Sequence, residues 1–405
     1  MGARADAAAV AAHPRVERML LASQDGPRRS AATVNPRRTP VQSDAVARPA
    51  SDAVSAPANV LVYGAYGHTG RFVVTELLRR GLVPVLSGRN GSALEALAAE
   101  LGLDARLADV TDAEAIDEAM RDVAAVVNCA GPFAHTTGPL LDAAHRRRVP
   151  YVDVAAEIEA NEDTFTRNSE RADGEIVVPA MAFFGGLGDL LATAAMGDWA
   201  DADEVHVAYG LSSWHPTPGT RAAGTVSRER RDGRHVTFRD GSLQYGEDES
   251  QQTTWHFPEP LGVRQVRSKF SMADIVTIPK HLRVRDVECY MTVEAVAELS
   301  SAATPAPVPI DDDGRSEQTF VVDVVVRRGA EQRRASASGQ DIYAITGPLA
   351  AEAVDRILSG RTRTTGVASA GAMFDPASFL DALHEELSWT IEPPELAEPL
   401  RSDPS

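Results

Sequence analysis

Asn59–Tyr63 reads Asn-Val-Leu-Val-Tyr and stops at Gly64, a short apolar run that predicts a strand buried on both faces of a parallel sheet. Residues 69–80 then place Phe72, Val73, Leu77 and Leu78 at helical spacing, with Gly81 as the stop. Further strand-like runs follow at 83–86, 106–110, 124–129, 151–154 and 175–178. Helical patterns lie between them at 92–102, 111–120, 138–148 and 159–172. Two of these helices open on capping boxes, Ser92 with Glu95 and Thr111 with Glu114. Strands alternating with short helices predict an α/β fold with a doubly wound parallel sheet.

Past residue 197 the texture changes. Residues 204–211, 253–257, 276–278, 288–294 and 320–326 are strand-like, and 302–315 reads as a surface loop. Two helical stretches, 347–358 and 376–387, close the pattern. This order predicts a nucleotide-binding domain over 58–197, a strand-rich α+β substrate domain over 198–345, and terminal helices over 346–405 that return to the first domain. Residues 1–57 stand apart, with eight arginines, five acids and no sustained apolar face, and are expected to be a disordered leader.

The chain has 405 residues, enough for two cores. Its 40 basic and 58 acidic side chains leave a net charge of −18, which argues against gripping a phosphate backbone, so no nucleic acid is expected as partner. Two cysteines, Cys129 and Cys289, exclude a disulfide scaffold and are expected to be buried thiols. No apolar run reaches the roughly 18 residues of a spanning helix, so no stable membrane insertion and a cytoplasmic location are expected. The ten histidines are scattered without metal-ligand spacing, and no metal site is expected.

The strongest chemical signal is Gly64-Ala65-Tyr66-Gly67-His68-Thr69-Gly70, between a predicted strand and a predicted helix. The first glycine permits a tight turn, the second lets the backbone approach a pyrophosphate, and the third lets helix and strand pack closely. The helix amino terminus then offers unpaired N–H groups to phosphates. This context marks the first domain as Rossmann-type. After the second strand, in Ser87-Gly88-Arg89-Asn90, an arginine stands where an acid would bind the ribose 2′-hydroxyl of NAD, and residues 84–94 contain no acid. That exchange favours the 2′-phosphate of NADP(H), with Arg89 as its partner. Asp109, after the third strand, is placed either to approach the adenine or to serve as a loop acid. Asn128-Cys129-Ala130-Gly131-Pro132-Phe133 follows the fourth strand and should border the nicotinamide half; Phe133 is either a ring contact or a core anchor.

Residues 62–71 (VYGAYGHTGR), 86–90 (LSGRN), 126–133 (VVNCAGPF), 139–157 and 182–192 (AFFGGLGDLLA) together resemble the saccharopine dehydrogenase-like oxidoreductases, and within them the trans-acting enoyl reductase branch. Pro218 to Thr220 and the TTGV run at 364–367 resemble family features as well. The resemblance implies an NADP-binding domain, an inserted α/β substrate domain and closing helices. It implies that Gly64, Gly67, His68, Thr69, Gly70, Arg89, Asn128, Gly131 and Pro132 lie near the cofactor, with Ala65, Asn90 and Ala130 in the same loops. Where relatives often carry Thr-Gly-Glu, this chain has Ala155-Ala156-Glu157, keeping the acid and losing the glycine.

No tyrosine has a lysine four positions later, so the Tyr-x-x-x-Lys dyad of short-chain dehydrogenases is absent. Candidate acid-base groups are His135 and Glu157, with Asp153 as either a third acid or a brace for its strand end. The segment Trp214-His-Pro-Thr-Pro-Gly-Thr220 is either a substrate wall or a surface turn. Arg228, Arg230 and Arg231 read as an exposed turn. The expected activity is NADPH-dependent reduction of a C=C (enoyl) or C=N bond in a small-molecule or acyl-thioester (carrier-bound) substrate. The alternative is a non-catalytic NADP(H)-sensing protein whose second domain binds a partner. A homodimer is compatible with the strand-rich domain.

Overall fold

The computed structural model describes residues 57–167, 174–247 and 250–396. The predicted leader up to residue 56, and the end of the helical pattern from 168 to 172, lie outside the described residues.

The first domain alternates β1 (Asn59–Tyr63), α1 (His68–Arg79), β2 (Val83–Gly88), α2 (Gly91–Leu101), β3 (Ala105–Leu107), α3 (Ala113–Ala119), β4 (Ala125–Asn128), α4 (Phe133–Arg147), β5 (Tyr151–Asp153), α5 (Ile158–Arg167) and β6 (Ile176–Val178). All strands pair in parallel, in the order β6-β5-β4-β1-β2-β3. The order reverses between β1 and β4, which opens a crevice at their carboxyl ends. β3 stops at Leu107, short of the expected Val110, because Asp109 turns the chain by accepting from the backbone N–H and hydroxyl of Thr111 at 2.9 and 2.8 Å.

After β6 come a single buried π-type turn, Phe183–Leu187, and α6 (Gly188–Met196). The sequence division at 197 places α6 with the first domain, yet it packs on the second sheet. That sheet is built from β7 (Ala202–Leu211), β8 (His235–Arg239), β9 (Ser242–Gly246), β10 (Gln252–His256), β11 (Val263–Arg267), β12 (Val284–Thr292), β13 (Thr319–Arg328), β14 (Glu331–Gln340) and β16 (Leu387–Leu396). Its order is β10-β11-β12-β7-β13-β14-β16, with β8 on β12 and β9 on β8. α7 (Pro218–Arg230), α8 (Asp274–Thr277), α9 (Val293–Ser300), α10 (Thr346–Leu358), α11 (Ala370–Met373) and α12 (Pro376–Asp381) complete the chain, and β15 (Gly366–Val367) extends the first sheet beyond β6.

Several expectations are corrected. Residues 276–278, read as a strand, belong to α8 and the short turn Ile278–Lys280, since Pro279 has no N–H for a ladder. β14 (EQRRASASGQ) and β16 were not predicted: β14 alternates only alanine with serine, and the Leu387, Trp389, Ile391 alternation of β16 directly follows residues read as a helix and runs into Pro393-Pro394; β14 pairs on β13 and β16 on β14. The closing segment is therefore not helical throughout. Its α10 lies on α1 of the first domain, while β16 joins the second sheet. One continuous core links the domains, from Val73 and Leu77 of α1 through Leu349 and Val354 of α10 to Val207 and Val324 of the second sheet.

The α1–α10 contact combines a close approach with a buried ion network. A Cβ at Gly347 would sit 2.8 Å from the carbonyl oxygen of Phe72, so glycine lets α10 approach. Glu352, almost fully buried, accepts from Arg356 Nε at 2.6 Å and from Arg80, which also reaches Glu76 at 2.7 Å. Replacing Glu352 by alanine leaves the buried Arg356 guanidinium without its carboxylate, which should lower stability by about 3 kcal/mol in a denaturant titration.

Candidate functional site

The glycine loop has the geometry its spacing implies. Gly64 has φ +82°, and its N–H donates to Ser87 O on the adjacent strand at 2.8 Å. Gly67 donates to Gly64 O at 2.9 Å and stands at the amino end of α1 with no side-chain cap, leaving the first helical N–H groups available to an anion. A Cβ at Gly70 would lie 2.2 Å from Gly64 O, so the third glycine permits α1 to sit on the loop. Ala65 is buried beneath it, and Thr69 is half-buried on the first turn of α1.

His68 turns away from that turn. Its ring lies edge-on to Phe72 at 5.4 Å and to Tyr343, just before α10, at 5.1 Å. Burial holds the imidazole below its ordinary pKa and thus neutral, and its Nε2 is buried without a hydrogen-bond partner.

At the end of β2, Arg89 is exposed and its charge acts on Asp109 across the β3 loop. Asn90 caps α2, accepting from Ala93 N at 3.2 Å, while its own N–H donates to Tyr66 OH at 3.3 Å. The Tyr66 ring fills the space beside Gly88, where a Cβ would come within 2.7 Å of it. Tyr66 thereby ties the glycine loop to the arginine loop, a link that sequence reading missed because nothing in the local pattern pairs residues 24 apart. Asp109 is exposed, with its carboxyl held below the usual range by its bonds from Thr111. Leu107 is 62% exposed beside Gly91, an apolar face at the end of β3 that the sequence reading did not single out.

At the end of β4, Asn128 is fully buried and structural. Its amide donates to Thr136 Oγ1 and Tyr151 OH at 3.1 Å each and accepts from Ala130 N at 3.0 Å. Gly131 and Pro132 lead into α4, and a Cβ at Gly131 would meet Ala223 of α7 at 3.7 Å. Phe133 is buried in the core, which settles its two readings for the anchor. His135 is exposed on the first turn of α4.

Glu157 does not point freely into the crevice. Its two oxygens accept from Phe133 N at 2.8 Å and Ala134 N at 3.1 Å, so a carboxylate from the β5 loop caps α4 and holds the Gly131-Pro132 turn. Asp153 braces its strand end, accepting from Ala155 N and Ala180 N at 3.1 and 2.9 Å. Cys129 is half-buried, not fully so, and burial pushes its thiol up.

The second domain closes over the β1 and β4 loops. Trp214 is buried, its ring against Phe184 at 5.3 Å, and Thr217 caps α7 through Thr220 N at 3.0 Å, so this segment is a packed helix entry and not a surface turn. Arg230 and Arg231 are likewise engaged, reaching Asp163 at 2.8 Å and the buried Glu159 at 3.2 Å on α5.

Residues 60–178 match the family model of the saccharopine dehydrogenase NADP binding domain. Over those residues the first domain is similar to the NADP-binding domain of saccharopine dehydrogenases. The Bos taurus saccharopine dehydrogenase-like oxidoreductase is 26% identical over 135 residues, which cover 29% of this chain and 32% of that protein. The chain thus spans about a third of the length of this curated relative. An apo histidine-tagged saccharopine dehydrogenase (L-Glu forming) from Saccharomyces cerevisiae shares the fold, with a TM-score of 0.58 over 83% of this chain and 100% of that one at 13% identity. The residues of the first domain fit the nucleotide: an uncapped helix end for the pyrophosphate and Arg89 for the 2′-phosphate.

The buried cap makes a testable pH signature. Burial, partly offset by the two backbone bonds and reinforced by Glu159 and Asp153, raises the Glu157 carboxyl from 4.5 to about 7. Between those values the folded chain keeps a proton that the unfolded chain has released, so this group's contribution to stability falls as pH rises through the window. Glu157→Gln should remove up to about 3 kcal/mol of that fall. The measurement is the difference between wild-type and variant unfolding free energies across the window.

Proposed function

We propose that this chain is an NADPH-dependent oxidoreductase that reduces a C=C (enoyl) or C=N bond of a small-molecule or carrier-bound substrate. The observation that carries the reading is the placement of the second domain. Its α7 lies against Gly131 of the β4 loop, and Tyr343 lies against His68 of the glycine loop. The two loops that flank the nicotinamide end of a dinucleotide at a β1/β4 switch point thus face second-domain side chains, where a substrate would be held for hydride transfer. Bound NADPH supplies the hydride and leaves as NADP+. The chain's part is to bind, orient and exclude water, and Glu157 contributes by fixing the Gly131-Pro132 turn.

The resemblance to the enoyl reductase branch supports C=C reduction, and the absence of a Tyr-x-x-x-Lys dyad speaks against simple alcohol–carbonyl interconversion by that route. Charge-assisted hydrogen bonds to a 2′-phosphate contribute about 1.5–3 kcal/mol. NADPH should therefore bind about 10- to 100-fold more tightly than NADH, and Arg89→Ala should abolish that preference while leaving NADH affinity unchanged. Fluorescence titration of both nucleotides against both proteins measures this; equal affinities in the wild type would overturn the NADP assignment of Arg89.

A further inference from the structure

The hydroxyl of Tyr343 is the meeting point of three groups from the loop that opens α7. Trp214 Nε1 and Thr217 N donate to it, each at 3.2 Å, and Thr220 Oγ1 lies 3.0 Å away. Thr220 Oγ1 continues to Thr217 Oγ1 at 3.0 Å. The phenol itself is held in place from below. Asp341, fully buried with φ +57°, accepts from Tyr343 N at 2.8 Å, Ala344 N at 3.1 Å and Ser316 N at 2.7 Å. The ring is half-buried and stands edge-on to His68 of the glycine loop, while α7 touches Gly131 of the β4 loop. Tyr343 therefore stands against the glycine loop, and its hydroxyl partner Thr220 lies on α7, the helix that comes up to the β4 loop.

We propose that Tyr343 donates the proton that completes reduction of the substrate. This rests on the oxidoreductase reading above. Hydride addition to one end of a C=C or C=N bond forms a C–H bond and breaks the π bond, whose electron pair goes to the other end. That atom takes the phenol proton, and the substrate is reduced by two electrons overall. The oxygen left behind is then met by three donors: the Trp214 indole N–H, the Thr217 N–H and, after rotation, the Thr220 hydroxyl. Preorganised donors of this kind stabilise the phenolate as lysine does in the missing dyad. The Thr220 and Thr217 hydroxyls continue the chain of hydrogen bonds from the phenol along the entry of α7. The charged or titratable groups near the phenol are Asp341 beneath it, His68 at its ring edge, and Glu298 of α9, which accepts from Trp214 N. Burial keeps the hydroxyl above its ordinary pKa, so it carries its proton at neutral pH.

The test uses the full chain labelled with fluorotyrosine and followed by fluorine NMR, with Tyr343→Phe assigning the resonance. A phenol beside the nicotinamide feels its positive charge in NADP+ and not in NADPH, so saturating NADP+ should lower the Tyr343 titration by about one pH unit relative to NADPH. Thr220→Val, which removes one donor to the phenolate, should raise the same titration. With crotonyl-coenzyme A and a cyclic imine as probes, Tyr343→Phe should lose about 100-fold in kcat with NADPH affinity within about twofold of wild type. A Tyr343 resonance that titrates identically with the two nucleotides bound, or undiminished turnover by Tyr343→Phe, overturns the proposal. Absence of NADPH binding by the wild type overturns the oxidoreductase reading itself, and is seen separately in the nucleotide titration.

Discussion

The approach of α1 to the end of β1 is the contact on which the rest of the molecule depends. It is possible only because Gly70 presents no Cβ to the Gly64 carbonyl, where one would intrude to 2.2 Å. With α1 in that place, its amino terminus aims at the crevice and Phe72 offers its backbone to Gly347, so α10 can lie alongside. α10 in turn carries at its entry Tyr343, which meets His68 on the first turn of α1. One backbone-to-backbone approach thus sets the phosphate site, the interdomain helix pair and the wall of the crevice together.

A second theme is the use of buried carboxylates to hold irregular backbone. Asp153 accepts from Ala155 and Ala180, Glu157 from Phe133 and Ala134, Asp341 from Ser316, Tyr343 and Ala344, and Asp274 from Gly185 N and Tyr209 OH. Each stands where the chain leaves a strand or enters a helix near the domain junction. A buried N–H without a partner is destabilising by about 1–3 kcal/mol, and a carboxylate with two oxygens satisfies several at once. Burial also raises Asp153 from 3.8 to about 6 and Asp274 from 3.8 to about 7, so, as for Glu157, their contribution to the junction's stability falls as pH rises through those acidic windows and is lost by neutral pH.

The first domain was legible almost residue by residue, because parallel strands buried on both faces must be continuously apolar and their helices must alternate with them. The glycine loop was legible because its glycines serve backbone geometry within a few residues. Phe133 and Glu157 were legible as candidates only, since whether a ring faces a cofactor or the core, and whether a carboxylate is free or caps a helix, depends on groups brought from elsewhere. In the second domain β14 alternates only alanine with serine, β16 directly follows residues that read as a helix, and Thr217-Pro218 looked like a turn, although Thr217 is a helix cap.

Sequence alone therefore determined the doubly wound architecture, the nucleotide loop and the preference for NADP, all of which rest on interactions within a few residues or on strand periodicity. Tertiary structure alone decided the pairing of β14 with β16, the capping of α4 by Glu157 and the meeting of Tyr343 with Trp214, Thr217, Thr220 and His68. Tyr343 lies 123 residues from Thr220 along the chain, and nothing in either segment's own pattern refers to the other. Their contact follows from a shared core, and a core is a property of the whole chain.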